Sequence, residues 1–246
     1  MAYPVVENVH LKGRDYLLTV RAPEEVVKKV KPGQFAMVQV RPSLQFDPLL
    51  RRPLGIFNLE GSLVSFIYRV YGRGTRLLTA VKGSVELLMP LGNSIPTHSD
   101  RYLFIAGGIG IGGVFLAARL FREEGKEVFL LYGERSSDNL SALPFLENYS
   151  IPHKVYTEDG SYGEKGLITE GLSEFKGYTW VACGPKAMLK AVKEKAEELG
   201  VECYLSLDTY MACGVGACLG CTVKTTSGYK RCCVEGPTFR ADEVII

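Results

Sequence analysis

The stretch RYLFIAGGIGIGGVFLAARLFREEGKEVFLLYGE, residues 101–134, constrains the fold more than any other part of this 246-residue chain. Tyr102–Ala106 is a short apolar run, and Gly113–Glu124 carries apolar residues at helical spacing up to Gly125. Val128–Tyr132 is a second buried run, so the segment reads as strand, glycine turn, helix, strand. Residues 178–200, YTWVACGPKAMLKAVKEKAEELG, repeat the plan with a strand at Trp180–Cys183 and an amphipathic helix at Ala187–Leu199. Strands alternating with helices build a parallel sheet, whose ligands sit at the strand carboxyl ends. Gly108, Gly110 and Gly113 satisfy G-x-G-x-x-G between strand and helix, where bare N–H groups suit a pyrophosphate. A glycine turn kept only for packing is the alternative. Cys183, at a strand end, is either a buried small residue or a neighbour of a nicotinamide. After Tyr132, the sequence GERSS offers Glu134 as an acceptor for a ribose hydroxyl, or Arg135 as a partner for a 2′-phosphate.

Residues 1–98 have a different texture. DYLLTVRA (15–22), GQFAMVQVRP (33–42), SLVSFIYRVYG (62–72) and SVELLMPLG (84–92) are short alternating runs broken by Gly and Pro. That pattern predicts a β-barrel or sandwich. LLRRPLGIF (49–57) places Arg51 and Arg52 before a proline within a β pattern. IYRVYGRGTRLL (67–78) ends a strand in Gly72-x-Gly74-Thr75, beside Arg69, Arg73 and Arg76. Arginines, a hydroxyl and open N–H groups after a strand suit a phosphate, while a solvated basic turn is the plainer reading.

Five of the seven cysteines fall between Cys213 and Cys233, and MACGVGACLGC (211–221) packs three of them among three glycines. Cys213, Cys218 and Cys221 form Cys-x4-Cys-x2-Cys, with Cys232 or Cys233 available as a fourth ligand. The first three match the spacing by which plant-type ferredoxins hold a 2Fe–2S cluster. Gly214, Gly216 and Gly220 give the tight turns and close N–H approach such a loop needs. A structural zinc site usually shows two Cys-x2-Cys pairs, whereas here one pair faces two adjacent cysteines, which point to opposite sides of an extended chain. Inert buried thiols would leave the glycines unexplained.

Met1 leads into AYPVVENVHLKGRDY, with no basic, apolar and small-residue signal pattern, and no run of about 18 apolar residues follows. A cytoplasmic chain with reduced thiols is expected, which favours metal or redox chemistry over disulfides. The net charge of +2, with charges mixed along the chain, gives neither a nucleic-acid stripe nor a polybasic membrane anchor. His10, His98 and His153 form no triad or metal set.

Taken in order, PGQFAMV (32–38), RRPLGI (51–56), IYRVYGRGT (67–75), PLGN (90–93), AGGIGIGG (106–113), EDGSYGEKG (158–166), ACGPKAML (182–189) and the cysteine block with CVEGPTF resemble the ferredoxin–NADP reductase superfamily. Within it, the chain is similar to the electron-transfer subunits of class 1B dihydroorotate dehydrogenases. The resemblance implies a flavin-binding β-barrel at 1–98, a parallel α/β nicotinamide domain at 99–200 and a small 2Fe–2S domain at 201–246. It implies that Arg52, Pro53, Leu54 and Gly55 contact the flavin, that Ile67, Tyr68 and Arg69 line FAD, and that Gly74 and Thr75 hold its pyrophosphate. Gly108, Gly110 and Cys183 would serve the nicotinamide cofactor, with NAD preferred. Cys213, Cys218 and Cys221 would hold the cluster with Cys233, which precedes x-x-Gly-Pro as the fourth ligand of the family does.

Where the family usually has Ser or Thr, this chain has Gly55, so a hydroxyl near the flavin is missing. The implied activity is electron transfer between an FMN-containing, dihydroorotate-oxidising subunit and NAD in pyrimidine biosynthesis, in a heterotetramer of two of each chain. The flavin and iron–sulfur subunit of a hydrogenase, sulfide dehydrogenase or ferredoxin:NADP oxidoreductase complex is the alternative. A redox sensor or a zinc-stapled binding module stands further off.

Overall fold

A computed structural model describes residues 1–40 and 47–246, so the end of the run predicted at 33–42 lies outside the described residues. The first hundred residues supply β1 (Ala2–Lys12), β2 (Asp15–Arg21), α1 (Glu24–Val27), β3 (Phe35–Val38), β4 (Arg52–Gly55), β5 (Asn58–Glu60), β6 (Leu63–Arg69), α2 (Arg73–Leu78) and β7 (Ser84–Leu91). The strands make one antiparallel sheet in the order β4-β3-β7-β1-β2-β6-β5. Its edge strands β4 and β5 are joined by Ile56 and Phe57 alone, so the sheet has to curl until the edges approach. The predicted barrel follows from that short link.

The second half supplies β8 (Arg101–Gly107), a 3-10 turn at Gly108–Gly110, α3 (Ile111–Glu123), β9 (Glu127–Glu134), α4 (Leu143–Asn148), β10 (His153–Thr157) and β11 (Glu164–Lys165). Then come β12 (Thr179–Cys183), α5 (Lys186–Leu199), β13 (Cys203–Ser206), β14 (Thr222–Thr225), β15 (Gly228–Arg231) and β16 (Thr238–Arg240). The sheet order is β11-β10-β9-β8-β12-β13-β16, parallel except for β16. From β8 the chain moves to β9 and β10 on one side and returns to β12 and β13 on the other. The switch point therefore lies between the ends of β8 and β12, where open α/β sheets bind ligands.

Two elements tie the halves together. Strand β6 is buried on both faces: Phe66 and Tyr68 enter the barrel core, while Ile67 joins the core around α3. That division follows the two-residue period of a strand. The second tie is the cysteine segment. β13 and β16 both pair within the parallel sheet, so residues 207–237 are an excursion from that sheet carrying the hairpin β14–β15. Among the described residues, no helix is long and apolar enough to cross a membrane.

Candidate functional site

At the switch point the glycines of the β8–α3 turn are required by contact. A Cβ on Gly110 would lie 2.3 Å from the carbonyl oxygen of Cys183, so the turn after β8 and the end of β12 touch backbone to backbone. Packing thus accounts for Gly110, whereas Gly108 adopts φ +57°, a left-handed turn that glycine enters freely. Cys183 is buried, its thiol pushed up to about 12 by that burial, and it behaves as a packing residue rather than a thiolate.

Beside Gly108 lies a buried ion set joining barrel to sheet. Arg69 on β6 donates from Nε and Nη2 to Asp15 of β2, at 2.6 and 2.8 Å, and from Nη2 to Glu134 of β9 at 2.6 Å. Ser141 donates to the same Asp15 at 2.7 Å. Hydrogen bonds to Asp15 raise the Arg69 pKa further, whereas burial raises that of Glu134 against the lowering pull of Arg69. The Glu134 side chain is 3% exposed, so it does not face solvent as a ribose-hydroxyl acceptor. The arginine across the domain boundary draws it inward. Arg135, the neighbouring residue, is exposed.

On the barrel, the predicted phosphate-binding residues meet. The Arg52 guanidinium lies against the first turn of α2, where a Cβ on Gly74 would be 2.7 Å from both Nε and Nη2. The Thr75 hydroxyl is already engaged, accepting from the N–H groups of Tyr71 and Gly72 at 3.0 and 3.3 Å. What this turn offers a phosphate is therefore main-chain N–H groups and the guanidinium. Ile67 and Tyr68 are 3% and 1% exposed, with side chains in the two cores, so neither side chain is open to a ligand. Strand β4 approaches α3 so closely that a Cβ on Gly55 would lie 2.6 Å from the Gly112 carbonyl oxygen. The family hydroxyl is missing because this chain has no room for its stem.

The cysteines gather as two pairs. The Cys218 backbone N–H donates to the Cys213 sulfur at 3.4 Å, and the Cys233 backbone N–H to the Cys221 sulfur at 3.5 Å. Among the described residues, no three His, Cys, Asp or Glu groups surround a single ion position, as a tetrahedral zinc site would require. A two-and-two arrangement is the donor set of a two-iron cluster. Backbone N–H groups already address the sulfurs: Val215 and Cys218 donate to Cys213 at 3.4 Å, Gly220 to Cys218 at 3.4 Å and Gly216 to Cys233 at 3.1 Å. The first two hold the Cys213 thiol down to about 6. The positive φ of the second corner falls on Leu219, at +61°, not on Gly220. Cys232 is fully buried in the core, and that burial raises its thiol to about 11.

The cysteine loop rests on the barrel. Gly214, at φ +74°, lets the loop pack onto Met37 and Leu91, where a Cβ would lie 2.5 and 3.2 Å from their side chains. Met37 on β3 is paired directly with Pro53 on β4. The cysteine loop and β4, the strand predicted to contact flavin, thus share β3 as common support. Periodicity could not have revealed this, because the contact is between two glycine-rich or buried segments far apart in sequence.

Residues 208–245 match the family described as the iron–sulfur cluster binding domain of dihydroorotate dehydrogenase B. The chain is similar to a dihydroorotate dehydrogenase B (NAD+) electron transfer subunit homolog from Aquifex aeolicus, at 44% identity over 98% of this chain and 97% of that protein. It is also similar to the dihydroorotate dehydrogenase B (NAD+) electron transfer subunit of Clostridium acetobutylicum, at 32% identity, 98% and 96% coverage. Among solved structures, a chain of an NADH-dependent reduced ferredoxin–NADP oxidoreductase superposes with a TM-score of 0.86 at 27% identity, over 99% of this chain and 89% of that one.

Proposed function

Because the chain belongs to the electron-transfer subunits of dihydroorotate dehydrogenase B, we propose that it carries electrons between NAD(H) and a separate FMN-containing, dihydroorotate-oxidising subunit in a cytoplasmic heterotetramer of two copies of each. The observation that carries this reading is the grouping of the four cysteines, Cys213 with Cys218 and Cys221 with Cys233, beside the strand that supports Arg52 and Pro53. Bound FAD supplies the interconversion of hydride and single-electron transfer, and the 2Fe–2S cluster supplies the one-electron relay.

The chain's own residues bind and orient. Arg52 and the N–H groups of Gly74 and Thr75 hold the FAD pyrophosphate, while main-chain groups of Pro53–Gly55 and Ile67–Arg69 line the flavin. The strand-end surface formed by Gly108, Gly110 and Cys183 takes the nicotinamide. Cys213, Cys218, Cys221 and Cys233 hold the cluster, and the N–H groups of the loop stabilise the thiolate charge.

The partner docks at the cluster loop. Tyr210, Val215 and Leu219 are exposed there, and Leu49, Leu50 and Leu88 line an open groove of about 390 Å³ that reaches Cys213. Apolar groups clustered beside a redox ligand suit a lasting subunit contact. Anaerobic addition of NADH to the purified flavin- and cluster-loaded chain tests the electron path. Flavin bleaching followed by the electron paramagnetic resonance signal of a reduced 2Fe–2S centre is expected. Bleaching without any cluster signal would contradict the path.

A further inference from the structure

Electron relay between the flavin strand and the cluster requires that the two be held at fixed separation, and one short segment of the barrel reaches both. Asn93, just after β7, uses all three of its N–H donors on three consecutive carbonyls of the segment that follows Cys233. Its side-chain Nδ2 donates to Val234 and Glu235, each at 3.1 Å, and its backbone N donates to Gly236 at 2.7 Å. Carbonyls only accept, so the amide has one sensible orientation. Asparagine is the residue that offers two donors on so short a stem: aspartate offers none, serine one, and glutamine holds them a methylene further out.

The other end of the clamp runs to the flavin strand. Gln34 donates from Nε2 to the Gly92 carbonyl at 2.7 Å, its own Oε1 accepts from the Lys31 N–H at 2.8 Å, and its carbonyl accepts from the N–H of Ile56 at 3.0 Å. Ile56 directly follows β4. Gly92 itself is wedged under Pro237, where a Cβ would lie 2.8 Å from Cδ. Hydrogen bonds on either side of the Gly92–Asn93 peptide link therefore lead from the end of the Arg52–Gly55 strand through Gln34 to the residues after Cys233, with no cysteine taking part.

We propose that Asn93 is a positioning residue for the cluster: it fixes the Cys233 half of the ligand set on the flavin barrel. The proposal rests on the electron-transfer reading above, and it concerns the Cys221–Cys233 pair, since the Cys213–Cys218 loop is seated separately on Met37 through Gly214. Loss of the clamp leaves the four thiols in the chain but lets one pair move relative to the other and to the flavin.

The test uses the full chain loaded with FAD and cluster, comparing wild type with Asn93→Asp, which keeps the shape and removes both side-chain donors, and with Asn93→Ala, which adds no charge. Each variant is expected to bind flavin normally and to have it reduced by NADH at the wild-type rate, which reports an intact fold. Iron should be stripped by a chelator about tenfold faster, the scale of one or two lost hydrogen bonds. The resonance spectrum of the reduced cluster should broaden, and the cluster should be reduced more slowly after the flavin bleaches. Wild-type iron release and an unchanged spectrum in both variants would overturn the proposal, even if their melting temperatures fell. A wild-type cluster that NADH never reduces would instead overturn the electron path, while the iron-release comparison would still judge Asn93.

Discussion

The Arg52 guanidinium and Gly74 occupy one another's space: the arginine lies where a side chain on residue 74 would begin, 2.7 Å from the missing Cβ. This relationship places a rigid two-pronged cation over the open N–H groups of α2, a geometry suited to phosphate. Arg52→Ala should weaken FAD retention about tenfold or more, as expected for a lost charge-assisted contact. Gly74→Ala should do the same by pushing the Arg52 side chain aside, with little change in the stability of the flavin-free chain. Ultrafiltration of the holoprotein, with chromatographic identification of the released flavin, checks both.

Arg69 is the sole cation bonded to the buried pair Asp15 and Glu134 among the described residues. Arg69→Ala should destabilise the chain by about 3–5 kcal/mol near pH 8, the usual cost of orphaning buried charge. Burial already raises the Glu134 pKa, and without the arginine both carboxylates face each other. A folded-state pKa above the unfolded value means that the folded state binds the proton more tightly, so stability is recovered as pH falls. The gap between wild type and variant should therefore narrow from pH 8 toward pH 5 in urea titrations. A constant or widening gap would contradict the assignment.

At Gly55 the neighbouring backbone of α3 leaves no place for a side chain. Restoring the family's hydroxyl with Gly55→Ser should cost about 1–3 kcal/mol by overpacking. The variant should also lose flavin, because β4 has to shift. Melting temperature and flavin content measured together test this; a serine variant that keeps both would show that β4 and α3 can separate freely.

Cys232 and Cys233 are adjacent but differently placed: Cys232 is wholly buried in the core, whereas the Cys233 sulfur accepts from the N–H of Gly216 and its backbone N–H donates to the Cys221 sulfur. Cys232→Ser should keep the iron and sulfide content of the wild type, while Cys233→Ser should lose or distort the cluster. Equal retention in both would remove Cys233 as the fourth ligand.

The parts legible in the sequence were those written in local chemistry. The glycine turn, the alternating barrel runs and the Cys-x4-Cys-x2-Cys block each carry their signal within a dozen residues, and the strands and helices predicted at 102–132 and 180–199 fall within two residues of those observed. What escaped was set by contact across the chain. Thr238–Arg240 is too short for a strand signal and becomes one only by pairing with Cys203–Ser206. Glu134 reads as a solvent-facing acceptor until Arg69 arrives from the barrel. Asn93 looks like an ordinary turn residue until the carbonyls after Cys233 are brought to it.

The most direct measurement of the central claim is dihydroorotate-driven NAD+ reduction by this chain co-expressed with the dihydroorotate-oxidising FMN subunit of the same cell. The account predicts a complex that co-elutes on gel filtration as two copies of each chain and forms NADH when given dihydroorotate. Neither subunit should do so alone, and activity should vanish in Cys233→Ser. Two proteins that elute separately, and whose mixture forms no NADH, would contradict it.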